Sequence, residues 1–317
     1  MSFSIRHVKE NGLDLVRLTD GNNGTAIDLL PGYGATLHGF WVREKNGSLF
    51  NVIDHYRDAA ELKKEMSRSF KGPKLSPFPC RIPGGIYHFE DKEYRFQHLF
   101  GDGTAIHGLL FDKPFVLTEE NVDGAAMAAM EYRYDNDDSG YPFQYLCLVR
   151  YELHPGSVLE VTTTVTNAGG VIIPIADGWH PYWRLGGSAN DWQLQFHSEA
   201  IVDFDQRLVP TGGLTQYGVF ASARALGDIF LDNCFVLKPE LVSAACELYN
   251  PSNGIRISFF PDRGYPYLQL YTPSTRDSIA VENLSGAPDC FNNKMGLTVL
   301  RPGHAQIFTV RYKVSVE

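Results

Sequence analysis

The sequence predicts an all-β protein, a large antiparallel β-sandwich with few short helices, built as a single domain over residues 1–317. Runs of β-branched and aromatic residues alternate with turn signals along most of the chain. The 30 glycines and 18 prolines are spread widely, as is typical of a chain with many short turns. Neither a linker-like composition break nor an internal repeat divides the sequence, which favours one domain.

The individual elements follow from hydrophobic period and turn chemistry. Only one segment has a helical pattern, and each predicted hairpin has two strand-like runs on either side of a polar turn. The predicted elements are, in chain order, a surface helix at 54–66, strands at 86–89 and 94–96 around a charged turn, strands at 144–153 and 158–166 around His-Pro-Gly-Ser, strands at 246–249 and 255–260 around Asn-Pro-Ser-Asn-Gly, and an alternating strand at 306–316.

Composition excludes several classes of function. A net charge of −9 and a pI near 5.6 argue against a nucleic-acid surface, which needs a basic patch. No stretch resembles a signal peptide or a membrane span, so a cytoplasmic protein without membrane contact is expected. The five cysteines are odd in number and widely spaced, without a CxxC pair. Free thiols are therefore expected, and neither a disulfide framework nor a metal site is.

Two loop segments carry polar side chains that could serve a site. Arg81 lies in Pro-Phe-Pro-Cys-Arg-Ile-Pro-Gly-Gly at 77–85, where proline and glycine restrict the backbone. Its planar guanidinium could bind a substrate oxygen, or it could hold the loop by bonding to backbone carbonyls. His107 precedes a glycine in Thr-Ala-Ile-His-Gly at 104–108. A lone histidine in such a place is more often structural than functional, so both interpretations stay open.

Two further segments carry an imidazole and a carboxylate. His180 lies in Asp-Gly-Trp-His-Pro-Tyr-Trp at 177–183, among aromatic rings that could stack on a pyranose. It could exchange a proton near neutral pH or belong to an aromatic core cluster, and the first interpretation is favoured. Glu282 follows the strand-like Ile279 and Val281 and is expected to end that strand before a Ser-Gly-Ala-Pro turn. It could serve a site or cap the turn.

The order of these segments is more specific than any one of them. Pro-Phe-Pro-x-Arg-Ile is followed by His-Gly, His-Pro-Tyr-aromatic, and Glu before Ala-Pro-Asp-x-x-Asn. Leu-Asp-Asn-Cys-Phe at 231–235, Leu-Gln-Leu-Tyr-Thr at 268–272 and Leu-Arg-Pro-Gly at 300–303 extend the pattern. From about residue 25 to the C-terminus, this series resembles the aldose 1-epimerase (galactose mutarotase) family. The resemblance implies a mutarotase-like supersandwich with its site on a concave sheet face.

The resemblance also implies a reaction and a role for each residue. His180 would act as the acid that protonates the ring oxygen of a hexose, and Glu282 as the base that takes the proton of the anomeric hydroxyl. The ring would open, rotate about C1–C2 and reclose as the other anomer, without cofactor or metal. The partner would be a small sugar, and the chain a monomer or homodimer. Four residues are implied to bind sugar oxygens: Arg81, His107, Asp232 and Gln269.

The sequence departs from the galactose-type pattern at two positions. Many family members carry Asn immediately before the arginine, where this chain has Cys80, and a thiol is a poor hydrogen-bonding group. Thr-Pro-Ser at 272–274 stands where galactose mutarotases typically have Thr-Gly-Asn. The identity of the sugar therefore does not follow from the resemblance.

Three alternatives to the free-hexose epimerase remain at this stage. A basic stretch precedes the Arg81 loop and suggests a hexose-6-phosphate 1-epimerase, since phosphate needs cations; it comprises Lys63, Lys64, Arg68, Lys71 and Lys74. A non-catalytic carbohydrate-binding protein could use the same fold. A glycoside hydrolase would need two carboxylates, and Asp232 is a poor second to Glu282.

Overall fold

The computed structural model describes residues 3–239 and 243–317. In this part of the chain the strands are β1 Phe3–Glu10, β2 Leu13–Asp20, β3 Thr25–Leu30, β4 Thr36–Arg43, β5 Leu49–Asn51, β6 Lys74–Leu75, β7 Arg81–Ile82, β8 Ile86–Phe89, β9 Lys92–Arg95, β10 Ala105–Ile106, β11 Val116–Asn121, β12 Ala126–Asp135, β13 Gln144–His154, β14 Val158–Asn167, β15 Ile173–Ile175, β16 Gly178–Trp179, β17 Tyr182–Trp183, β18 Gln193–Phe196, β19 Ser198–Phe204, β20 Pro210–Thr215, β21 Arg224–Ala225, β22 Asp232–Leu237, β23 Cys246–Asn250, β24 Ile255–Pro261, β25 Tyr267–Tyr271, β26 Ile279–Leu284, β27 Thr298–Leu300 and β28 Ala305–Val316. The α-helices are α1 Ala59–Ser69 and α2 Cys290–Asn293, and the 3₁₀ turns are Pro83–Gly85 and Ala189–Asp191.

The strands form three larger sheets with antiparallel neighbours. A five-stranded sheet runs in the order β1-β2-β3-β4-β5, and a nine-stranded sheet runs β11-β12-β13-β14-β28-β24-β23-β18-β21. An eight-stranded sheet runs β20-β19-β22-β25-β26-β16-β6, with β17 also paired to β26. The predicted all-β antiparallel class is confirmed.

Local sequence explains the long hairpins of the nine-stranded sheet. Along β14, buried and half-buried residues alternate through all ten positions, so one face packs on the core and the other meets solvent. The predicted hairpin at 86–96 forms with a tighter turn than expected, because Glu90 and Asp91 both have positive φ values of 50° and 59°. Two consecutive residues in this conformation form the two-residue turn that matches strand twist, so β9 begins at Lys92.

Aromatic side chains join the eight- and nine-stranded sheets across a common core. Trp183 of β17 lies 5.2 Å from Phe259 of β24 and 4.9 Å from Tyr312 of β28, measured between ring centroids. Phe196 of β18 lies 4.6 Å from Phe235 of β22. The largest cluster of buried apolar side chains also includes residues of the five-stranded sheet. The three larger sheets therefore pack on one apolar core.

The helix predicted at 54–66 is displaced along the sequence. The structure begins α1 at Ala59, because the side chain of Asp58 accepts hydrogen bonds from the backbone N–H groups of Ala60 and Glu61. The preceding residues are held in place by Asp54, whose N–H donates to the Tyr182 carbonyl at 2.9 Å. The sequence prediction missed the short helix α2. Among the described residues, no helix has both the length and the apolar character needed to cross a bilayer.

Candidate active site

Three neighbouring strands of the eight-stranded sheet direct polar side chains to one face. Gln269 of β25 lies opposite Glu282 of β26 in the strand register. The Gln269 amide Nε2 donates to Asp232 Oδ1 on β22 at 2.9 Å. Leu268 and Leu270, on either side of Gln269 in β25, belong to the apolar core on the other face of the sheet. The period of two along each strand therefore brings these three polar groups together.

His180 reaches the same face through an interruption of the sheet. β26 pairs with β16 at Gly178 opposite Leu284, and with β17 at Tyr182 opposite Ala280. His180 and Pro181 lie between these pairings, beside Glu282 on the facing strand. The distance from His180 Nε2 to Glu282 Oε1 is 3.4 Å, and the two side chains are 7% and 3% exposed. The acid and base that the resemblance implied are therefore in contact.

The loop residues Arg81 and His107 are joined by backbone pairing. β7 and β10 pair at Arg81 opposite Ile106. Next to this pair, the Cys80 N–H donates to His107 Nδ1 at 3.2 Å, and the His107 N–H donates to the Cys80 carbonyl at 2.8 Å. Cys80 and His107 both have positive φ, 56° and 60°. This tight reciprocal contact fixes the His107 ring at the edge of the site.

The six predicted site residues line one cavity of about 490 Å³. This volume lies within the range of small-molecule sites. Aromatic rings form part of the wall: His180 stacks on Tyr182 at a centroid distance of 5.0 Å, and Phe70 lies 4.6 Å from His107. Phe100, Phe204 and Tyr271 add to the aromatic lining.

Several polar atoms of the residues that line the cavity are buried without a protein partner. Within the described residues, these include His180 Nδ1, Gln269 Oε1 and Glu282 Oε2. A buried polar atom costs free energy unless it is hydrogen-bonded, so the cavity suits a ligand with many hydroxyl groups.

Burial shifts the two central titrating groups in opposite directions. Desolvation lowers the pKa of His180 from 6.5 to about 4. Desolvation raises the pKa of Glu282 well above 4.5, and the nearby Asp232 charge adds to this, while Arg81 opposes it. Protonated His180 is therefore a stronger acid than free imidazole, and ionised Glu282 is a stronger base than a free carboxylate.

His107 is poised to donate a hydrogen bond into the cavity. A backbone N–H can only donate, so His107 Nδ1 is an unprotonated acceptor of the Cys80 N–H. Burial, with help from the charges of His180 and Arg81, holds the pKa of His107 well below 6.5. The neutral ring then carries its proton on Nε2, where it can donate to an acceptor oxygen of a ligand.

The same tautomer bears on metal binding. His107, His180 and Glu282 bring possible ligand atoms within 4.8 Å of one another, closer than their sequence separation suggested. A metal ligand must offer a free lone pair. His107 Nδ1 is engaged and Nε2 carries the proton, so this trio fits hydrogen bonding better than metal coordination.

Comparison with known proteins supplies the family. The model of the family described as "Aldose 1-epimerase" matches residues 14–313. The chain belongs to this family. Escherichia coli (strain K12) protein YihR is 26% identical over 259 residues, covering 78% of this chain and 80% of YihR.

Solved structures show the same fold at low identity. A galactose mutarotase-like protein from Clostridium acetobutylicum superposes with a TM-score of 0.88 at 16% identity, covering 100% of this chain and 99% of that one. A GalM/aldose epimerase homologue from C. elegans gives 0.83 at 21% identity, covering 94% and 98%. A galactose 1-epimerase from Lactobacillus acidophilus gives 0.82 at 20%, covering 99% of each chain. The mutarotase-like fold that the sequence predicted is confirmed.

In this aldose 1-epimerase family member, some details of the sequence interpretation need correction. Glu282 is the fourth residue of β26 and does not end the strand, which continues to Leu284. Of the aromatic residues around His180, Tyr182 lines the cavity, whereas Trp179 and Trp183 pack in the core. Alternation along the chain explains this, because His180 and Tyr182 face the cavity and the tryptophans on the alternate positions face the core.

The basic stretch does not gather at the site. Of its five cations, only Arg68 lines the cavity. Lys71 bonds to Asp54 at 2.8 Å, and Lys74 is completely buried against Asp177. The spacing of cations along the sequence cannot show which of them is exposed, paired or buried, because the chain leaves α1 and enters β6 within the stretch.

Sequence reasoning missed Phe70 among the cavity residues. It terminates α1 in the left-handed conformation, with a φ of 46°. Glycine usually occupies this position, so the sequence carries no sign that the helix ends there. The family departure at Cys80 is buried at the cavity wall beside Leu75 and Leu284, and burial raises the pKa of its thiol well above 9.

Proposed function

We propose that the protein is an aldose 1-epimerase that interconverts the α and β anomers of a hexose by acid–base ring opening. The observation that carries the proposal is the His180–Glu282 contact at 3.4 Å, in a cavity whose lining residues have unpartnered polar atoms. Hemiacetal opening needs one proton delivered and one removed, and it needs no redox step. This chemistry matches a paired acid and base.

In the proposed reaction, His180 donates its proton to the ring oxygen while Glu282 takes the proton of the anomeric hydroxyl. The bond from C1 to the ring oxygen breaks, and the hydroxyl oxygen becomes the aldehyde oxygen. The C1–C2 bond then rotates and exposes the other face of the aldehyde. On reclosure, Glu282 returns its proton to the aldehyde oxygen and His180 recovers a proton from the attacking hydroxyl, so the enzyme is unchanged.

The shifted pKa values favour this transfer. Ring opening starts from the form in which His180 is an imidazolium and Glu282 a carboxylate, and burial makes this the higher-energy form of the pair. After the protons pass through the sugar, both groups are neutral, the state that burial favours. His107 Nε2 and the Arg81 guanidinium are proposed to bind sugar oxygens. Gln269 Oε1 and Asp232 are proposed to accept hydrogen bonds from ring hydroxyls.

Exchange NMR on a panel of free hexoses and hexose 6-phosphates tests the proposal. We expect added protein to accelerate exchange between the anomeric signals of at least one free hexose. Exchange that stays at the buffer rate across the panel, with sugar binding detected by calorimetry, would instead indicate a carbohydrate-binding protein. Acceleration of anomer exchange for the hexose 6-phosphates alone would instead indicate a hexose-6-phosphate 1-epimerase.

A further inference from the structure

A lysine lies in the protein interior, paired with an aspartate three residues before His180. The side chains of Lys74 and Asp177 are both 0% exposed, and Lys74 Nζ lies 2.6 Å from Asp177 Oδ1. Burying two charges costs several kcal/mol for each ion, and well-packed apolar residues often serve stability equally well. The position of this pair therefore calls for a reason other than stability.

The ammonium of Lys74 contacts three consecutive residues that lead to His180. It donates to Asp177 Oδ1 at 2.6 Å and to the Gly178 carbonyl at 2.8 Å. It also lies 4.1 Å from the Trp179 ring centroid, within cation–π range. An ammonium has three N–H donors, so these contacts use its full capacity.

Asp177 in turn connects this segment to the strand of Glu282. The Asp177 N–H donates to Ser285 Oγ at 2.7 Å, and the Ser285 N–H donates to the Asp177 carbonyl at 2.8 Å. The Tyr265 hydroxyl donates to Asp177 Oδ1 at 2.6 Å. Ser285 lies just beyond the end of β26, three residues after Glu282. Asp177 is therefore held twice: its backbone is bonded to Ser285, next to the strand of Glu282, and its carboxylate is bonded to Lys74 and Tyr265.

We propose that Lys74 and Asp177 are positioning residues that set the distance between His180 and Glu282. β16 has only two residues, and Pro181 cannot donate a ladder hydrogen bond, so His180 lies at a short break in the sheet, where its carbonyl accepts from the Gly72 N–H at 2.9 Å. The buried ion pair adds a second constraint, on the three residues that precede His180. Neither residue reaches the sugar, and both act through the backbone. This inference rests on the proposed function.

The double variant Lys74→Met/Asp177→Asn tests the proposal without leaving an isolated buried charge. We expect it to fold and to lose about 100-fold in kcat for anomer exchange with KM nearly unchanged, because a misplacement of about 1 Å can cost that much. Ser285→Ala is a milder second variant that removes one link to β26, and we expect a loss of about tenfold in kcat. The matched control is Arg17→Met/Asp28→Asn, which removes another ion pair in the five-stranded sheet. We expect it to change stability and to leave kcat as in the wild type.

A spectroscopic measurement separates positioning from general stability. In ¹⁵N-histidine NMR spectra, the His180 ring signals should shift in the Lys74→Met/Asp177→Asn variant, while those of the exposed His7 on the edge strand β1 should not. Wild-type kcat in either folded test variant, or unshifted His180 signals, would overturn the proposal. If the wild type accelerates no anomer exchange, the proposed function fails, and the His180 signals still report whether the pair positions that ring.

Discussion

Replacing Glu282 by Gln keeps the length of the side chain and removes its ability to accept a proton. Glu282 is 2% exposed, and its Oε2 has no partner among the described residues. The amide fits the same space beside His180, so the cavity should keep its shape. The substitution therefore isolates the proton transfer from the architecture.

The expected loss of activity follows from the role of a positioned base. Such a group contributes about 10²–10⁴-fold to the rate. This corresponds to about 3–5 kcal/mol of transition-state stabilisation. We expect kcat for anomer exchange to fall by that factor and KM to change little, since other groups line the binding surface.

Although Glu282→Gln should lose activity, its free energy of unfolding at pH 7 should not fall below that of the wild type. Burial raises the folded-state pKa of Glu282 above its ordinary value of 4.5, so the native state holds this proton more tightly than the unfolded chain does. The stability from this group is fully present below pH 4.5 and is lost as pH rises towards the folded-state pKa. The loss is about 1.4 kcal/mol per pH unit. Glu282→Gln lacks this loss, so at pH 7 it should unfold with a free energy at least equal to that of the wild type.

Exchange NMR gives kcat and KM, and urea unfolding at pH 5 and pH 7 gives the stability difference. The control is Glu119→Gln on the exposed edge strand β11, which should change neither. An active Glu282→Gln enzyme would refute the assignment of the base. A variant that loses activity only because it is unfolded at pH 7 would refute the reasoning about burial.

Other predictions follow from the glycine, histidine and amide positions. Gly108→Ala should lower the thermal midpoint and reduce the free energy of unfolding by at least about 2 kcal/mol, because φ is +75° and a Cβ would lie 2.2 Å from the Ser76 carbonyl oxygen. Gly124→Ala is the control: its φ is +72° but the space around it is open, so the substitution should cost about 1 kcal/mol. Burial, aided by a neighbouring histidine, lowers the pKa of His38 to about 3 in the folded state. The stability that depends on a neutral His38 is fully present above pH 6.5 and is lost as pH falls towards 3. His38→Gln should therefore reduce the loss of unfolding free energy with acid, measured by urea unfolding, by about 1.4 kcal/mol per pH unit. Gln269→Ala should raise KM about tenfold in the exchange assay, the loss of one or two hydrogen bonds, and an unchanged KM would place the sugar elsewhere.

The fold was predictable because its signals are local. Alternation along residues 158–166 and 306–316 and the turn residues between strands fix the hairpins, whatever their surroundings. The start of α1 was predicted too early because the N-cap is Asp58, and Asp54 is another acidic residue just before it. A pattern of apolar spacing does not show which carboxylate bonds to the backbone.

The grouping of the candidate site residues in one cavity was predictable only through the order of their motifs. His180 and Glu282 are separated by about a hundred residues, and strand pairing on both sides of Pro181 brings them together. Local sequence also could not show that Lys74 is buried, since it follows a helix with exposed cations. Its partner Asp177 lies far along the chain. Such long-range pairing is a property of the topology.

The rate of anomer exchange in wild type, His180→Ala, Glu282→Gln and the double variant tests the central claim most directly. If the two groups act as one acid–base unit, each single variant should lose most of the acceleration. The His180→Ala/Glu282→Gln variant should then be no slower than the slower single variant, because effects within a unit do not add. Wild-type rates in either single variant, or losses that multiply in the double variant, would contradict the paired mechanism.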